Sequence, residues 1–168
     1  CKLAGYTKII GIDISAEQVM LAHQLGITEV KHAETIEYLN STPDQYDVIF
    51  CMDIIEHFTK DELVVLLDLI KSRMNDQARI IFRTPNMDTP FGDFTHENHL
   101  NAQSANQLML SLGFKEIQTL PSRMATKGFI KEIVRSLLWT FINIFIRLII
   151  YSTGRSSKNV ILSPNLII

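Results

Sequence analysis

Residues 8–15 read KIIGIDIS, an apolar run that ends on Asp13 and meets a serine two residues later. Isoleucines at this density favour an extended strand. Ser15, with Gln18 three residues on, has the spacing of a capped helix start. A strand that delivers straight into a helix opens a βα unit, and the same step recurs downstream. Strands are expected near 8–13, 28–32 (TEVKH), 46–52 (YDVIFCM), 77–84 (QARIIFRT) and 114–120 (FKEIQTL). Helices are expected between them, near 16–25, 34–40, 60–74 and 103–112. Thr59 and Glu62 repeat the capping-box spacing, and Gly26 and Gly113 fall where helix C-termini belong. The strands are continuous apolar runs, the pattern of strands buried on both faces. The predicted class is therefore α/β, a mostly parallel sheet with helices on both faces.

The 168 residues are enough for one domain with a substantial core, and 46% of them are hydrophobic and 20% charged. Two cysteines, Cys1 and Cys51, imply a reducing, cytoplasmic setting and no disulfide framework. CxxC and HExxH metal spacings are absent. The net charge of −2 hides an asymmetry. Residues 1–121 carry 9 Lys/Arg against 17 Asp/Glu, whereas 122–168 carry 7 Lys/Arg against Glu132 alone. The acidic first region argues against a nucleic-acid partner.

In an open parallel sheet, ligands bind at the carboxyl ends of the strands. That rule selects Asp13, the turn at 33–35, Met52–His57 and the segment Thr84–His99. Asp13 is either a solvated strand-end acid or a carboxylate matched to two vicinal ribose hydroxyls. Glu34 occupies the next strand end and suits either an adenine amino group or a helix's first turn. Asp53, Glu56 and His57 crowd the exit of a buried strand in CMDIIEHF (51–58). An imidazole there is a candidate proton acceptor. Those three residues also make a conceivable oxygen-and-imidazole metal set, ranked below a pocket wall. FRTPNMDTPFGDFTHENHL (82–100) adds Phe91, Phe94, His96, Glu97 and His99 as stacking, base and carboxylate candidates.

The ordered set IIGIDIS, YDVIFCMDIIEHF, ARIIFRTPN, DFTHENH and SANQLMLSLGFKEI resembles class I S-adenosylmethionine-dependent methyltransferases. The nearest resemblance is to methyltransferases of the ubiquinone pathway and of surface-polysaccharide clusters, and it covers about residues 8–121. It implies a Rossmann-like sheet with an antiparallel last strand. It also implies S-adenosylmethionine as cofactor, with Asp13 and Ile14 at the ribose, Glu34 and Thr35 near the adenine, and Met52 and Asp53 flanking. His57 and His96 become the catalytic candidates, and Glu56, Asn86 and His99 face the acceptor. DIIEH at 53–57 matches a pattern linked to a divalent metal in some relatives. The resemblance departs at the start, because the first strand and its glycine-rich turn do not appear. The chain is therefore expected to be an N-terminally truncated fragment, a partial donor-binding domain over 1–121 that is inactive alone. The implied reaction is methyl transfer to an O or N nucleophile of a small-molecule, glycan or lipid-linked acceptor. An NAD(P)-dependent Rossmann oxidoreductase and a non-catalytic binding module are the alternatives.

The second region, 122–168, is continuous with the first and reads as a basic amphipathic helix plus a last strand near 159–168. In FIKEIVRSLLWTFINIFIRLIIY (129–151), Glu132, Ser136, Thr140, Asn143 and Arg147 share an arc of ~80° on a helix. Arg135 and Arg147 leave only eleven uncharged residues between them, against about 20 needed for a bilayer span. A helix packed on the protein and peripheral membrane contact are the two favoured readings.

Overall fold

A computed structural model of the chain describes residues 5–87, 95–122, 128–154, 163 and 165–168, and no side chain for Phe129. Phe91 and Phe94, and residues 159–162 and 164 of the expected last strand, lie outside the described residues.

The first βα unit is β1 (Gly11–Asp13) followed by α1 (Ala16–Gln24), and the second is β2 (Val30–His32) followed by α2 (Thr35–Ser41). Strand β3 (Tyr46–Met52) then leads through a 3-10 turn at Ile55–His57 into α3 (Lys60–Ser72). Strand β4 (Met74–Pro85), α4 (Ala102–Ser111), β5 (Leu120–Ser122), α5 (Phe129–Ser152) and β6 (Asn165–Ile167) complete the order. The α/β class holds. Parallel pairing joins β1 to β2 and β3 to β4, and β6 runs antiparallel to both β4 and β5.

Local chemistry accounts for most boundaries. Ser15 accepts a hydrogen bond from Gln18 N and starts α1. Thr59 and Glu62 form a reciprocal capping box on α3. Gly26 and Gly113 follow α1 and α4 at φ +80° and +79°, a left-handed conformation that side chains with a Cβ resist. The α3 residues Leu63, Leu66, Leu67 and Ile70 repeat at helical spacing and are buried. They pack with Ile55, Phe82 and Met109 in one hydrophobic core.

Two differences from the sequence reading stand out. The fifth strand is confined to Leu120–Ser122, where 114–120 was expected. Glu116, at φ +55°, cannot continue an extended strand, so pairing waits until Leu120 meets Ile167. The strands also form two sheets among the described residues, β1-β2 and β3-β4-β6-β5, with no ladder between β1 and β3. Apolar side chains remain open beside that break. Ile14, Phe50 and Met52 are about half exposed or more, as are Met20 of α1 and Leu25 just after it.

Candidate functional site

Asp13 ends β1 opposite His32, and its Oδ1 accepts from Ser15 N at 2.8 Å. His32 Nε2 donates to the Ile14 carbonyl at 2.9 Å and fixes the turn that carries Asp13. Nothing in the sequence singled out His32, because its role depends on the parallel register of two strands. Ile14 is exposed beside Asp13. Glu34 is the N-cap of α2 and accepts from Glu37 N at 2.8 Å, with Thr35 opening the helix. One Glu34 oxygen is thus engaged with its own helix.

The exit of β3 is more elaborate. Met52 is exposed, and Asp53 takes a left-handed φ of +52°. That conformation is uncommon for residues with a side chain and is held here from outside. Asp53 N donates to the Arg83 carbonyl at 2.8 Å, while Arg83 Nε and Nη2 both donate to the Asp53 carboxylate. The pair is a bidentate fork that locks the ends of β3 and β4 together. Arg83 is a site residue that sequence reading missed, because its partner lies 30 positions away.

Glu56 does not stand open toward an acceptor. It is 2% exposed, and Thr84 Oγ1 donates to its Oε2 at 3.1 Å. Burial is the main cause holding the Glu56 carboxyl above its usual range. Its backbone carbonyl accepts from both Glu97 N (2.8 Å) and Asn98 N (3.0 Å), drawing the far end of the 84–99 segment onto the 3-10 turn. Asn98 Nδ2 adds a bond to the Phe58 carbonyl. Asn86 is also buried, with Nδ2 donating to the Ser163 carbonyl at 2.9 Å.

These ties bring three histidines together. The His57 and His96 rings have centroids 5.0 Å apart and cross at 72°. The His96 and His99 rings are 6.3 Å apart. His57 Nδ1 points to the Thr95 carbonyl at 3.4 Å, which favours the tautomer with a lone pair on Nε2. The conceivable metal set of Asp53, Glu56 and His57 is redrawn, since Asp53 is held on Arg83. Glu56, His57 and His96 instead offer donor atoms within 4.8 Å of one another. One carboxylate with two imidazoles is a donor set that suits a divalent transition ion.

The chain resembles several solved structures at low identity. A SAM-dependent methyltransferase from Archaeoglobus fulgidus shares 21% identity at a TM-score of 0.59, over 94% of this chain and 73% of that one. The plantazolicin methyltransferase BamL, solved with a triazolic desmethylPZN analog and SAH, shares 15% identity at a TM-score of 0.56, over 98% of this chain and 68% of its own. The magnesium protoporphyrin IX methyltransferase of Synechocystis PCC 6803 with bound SAH shares 18% identity at a TM-score of 0.54, over 73% and 60% of the two chains. No curated protein matches. At these identities the likeness establishes the fold. The family rests on sequence: a methyltransferase-domain family matches residues 1–129, most of the chain, and the chain belongs to it.

Proposed function

We infer that the chain supplies most of a methyltransferase site that uses S-adenosylmethionine, whose sulfonium supplies the activated methyl. One observation carries the reading. In a chain of this family, Asp13, the Met52–Asp53 corner and the His57–His96 pair follow the carboxyl ends of parallel strands. Asp13 is oriented by Ser15 N and would hold the ribose hydroxyls, with Ile14 beside it. Glu34 and Thr35 would lie at the adenine, and Met52 with Asp53 would flank the cofactor. Arg83 acts as a positioning residue that keeps Asp53 in its left-handed turn.

The acceptor is a small-molecule, glycan or lipid-linked O or N nucleophile. Its lone pair attacks the methyl carbon in line, the bond to sulfur breaks, and the sulfur leaves as a neutral thioether. His57 or His96 takes the proton released by the acceptor. Holding the two reactants in line is the larger contribution. Asn86 and Glu56, both buried, shape the acceptor side from beneath, while His99 remains exposed beside His96. Glu56, His57 and His96 would hold a divalent ion, which would supply Lewis-acid chemistry there in place of an imidazole base.

The break between β1 and β3, with Phe50 and Met52 open beside it, supports a further strand from chain beyond these 168 residues. Its turn would complete the donor side, making 1–121 a partial domain that 122–168 continues. Free, buried Cys51 fits a reducing, cytoplasmic setting. Calorimetric titration of the full-length protein with S-adenosylhomocysteine tests the proposal. Saturable binding heat is expected; absence of heat with S-adenosylhomocysteine alongside binding of NAD would overturn it.

A further inference from the structure

Helix α5 is built inside out for a soluble protein. Its half-buried residues include Glu132, Arg135, Ser136, Trp139 and Asn143, all within an arc of about 100°. The opposite half-turn carries Ile133, Leu137, Phe141, Ile144, Phe145 and Leu148, every one exposed. A water-soluble helix turns its apolar stripe inward. Here the apolar stripe is exposed, and several groups of the polar stripe are satisfied on the helix itself. Arg135 Nη2 donates to Glu132 Oε1, Thr140 Oγ1 to the Ser136 carbonyl and Asn143 Nδ2 to the Trp139 carbonyl, each at 2.8 Å.

By length and composition Ile130–Ser152 could cross a membrane, and none of that stretch is buried. The topology forbids it. Ser122, before the helix, pairs with Asn165, after it, and Ser163 Oγ closes the neck by donating to the Ser122 carbonyl at 2.7 Å. A crossing by α5 would require residues 153–164 to cross back and reach Asn165. As a helix those twelve residues reach only about 18 Å, against a hydrocarbon core of ~30 Å. As an extended strand they would leave backbone N–H and C=O groups without partners in lipid.

We propose that α5 is a monotopic anchor: it lies along the surface of an anionic lipid bilayer with the Phe141 face immersed and its axis parallel to the membrane. Charge selects lipid as the occupant. Residues 122–168 carry seven Lys/Arg against one acid, with Lys127 and Lys131 near one end of the helix and Arg155 and Lys158 beyond the other in sequence. Two such helices face to face would bring like charges together, whereas anionic headgroups neutralise them.

Trp139, the chain's single tryptophan, lies on the stripe opposite Phe141, so moving it to the apolar face (Trp139→Phe with Phe141→Trp) gives a reporter of depth. The 168-residue chain carrying that exchange is mixed with phosphatidylglycerol/phosphatidylcholine vesicles carrying bromine at shallow or deep acyl positions. The expected result is co-flotation, a blue shift of the relocated tryptophan and its strongest quenching by shallow bromines, with roughly tenfold weaker binding to purely zwitterionic vesicles. Phe141→Ser with Phe145→Ser is expected to reduce flotation by about tenfold or more. Both side chains are exposed, so the unfolding midpoint should be unchanged. Strongest quenching by deep bromines would establish a span and overturn the proposal. So would a failure to float, or concentration-dependent dimers in buffer that the double variant dissociates.

Discussion

The ring of His96 stands 5.0 Å from the ring of His57 and nearly perpendicular to it, although 38 residues of chain lie between them. Hydrogen bonds at the backbone of Glu56 hold the two segments in register, so the imidazole pair is a product of main-chain pairing.

That separation between anchoring and chemistry gives a first expectation, measured on the full-length protein. Asp13→Ala should weaken S-adenosylhomocysteine binding by roughly tenfold or more, through loss of a bidentate carboxylate. His57→Gln and His96→Gln should leave that affinity unchanged, while the variant lacking the acting base loses about 10²–10⁴-fold in turnover. Calorimetry reads the first effect and product formation the second. Equal losses of affinity in all three variants would contradict the division of roles.

Glu56 is expected to matter for stability through Thr84. Glu56→Ala leaves a buried hydroxyl without its acceptor and should destabilise the fold by about 1–3 kcal/mol. Glu56→Gln keeps an acceptor for Thr84 and sheds a carboxyl that burial already disfavours as an anion. Urea unfolding midpoints should therefore place the Gln variant well above the Ala variant.

Cys51 makes stability fall at alkaline pH. Burial pushes its thiol from an ordinary value near 9 up to about 12. A folded-state value above the unfolded one means the stabilisation is whole below about pH 9. It is lost as pH rises toward 12, because the unfolded chain ionises first. The slope is about 1.4 kcal/mol per pH unit within that window. Cys51→Ala should remove this part of the slope in urea titrations at successive pH values, leaving the part from Tyr46, whose hydroxyl is pushed by burial from 10 up to about 12. In a Cys1→Ser background, no thiol should react with a disulfide reagent until the chain unfolds.

Within α3, adjacent residues should behave oppositely. Leu66 is fully buried whereas Val65 is half exposed. Leu66→Ala should cost about 2–5 kcal/mol through the cavity it leaves. Val65→Ala should remain within about 0.5 kcal/mol of the parent. Thermal unfolding of the two variants separates the cases.

What could be read from the sequence was local. Ser15, Thr59 with Glu62, and the glycines at 26 and 113 announced their helix ends through interactions spanning three or four residues. Asp13 was visible because it ends an apolar run abruptly. The Asp53–Arg83 fork was not, since it exists only once β3 and β4 take their parallel register. Strand β5 was misplaced because Phe114, Ile117 and Leu120 look extended, while the backbone of Glu116 breaks the run. The heptad-like pattern of α5 revealed two faces, but periodicity carries no sign. Only the fold shows that the apolar face is the exposed one.

The neck at Ser122, Ser163 and Asn165 has an evolutionary corollary. A segment that departs and rejoins at one paired position behaves as a cassette, since the strands flanking it are already adjacent without it. Lengthening a surface excursion of this kind adds little closure entropy, and insertions are tolerated best at exposed connections. On the proposed reading of α5 as an anchor, gain or loss of residues 123–162 would tether the sheet to a lipid surface or release it, with no rearrangement of the strand order.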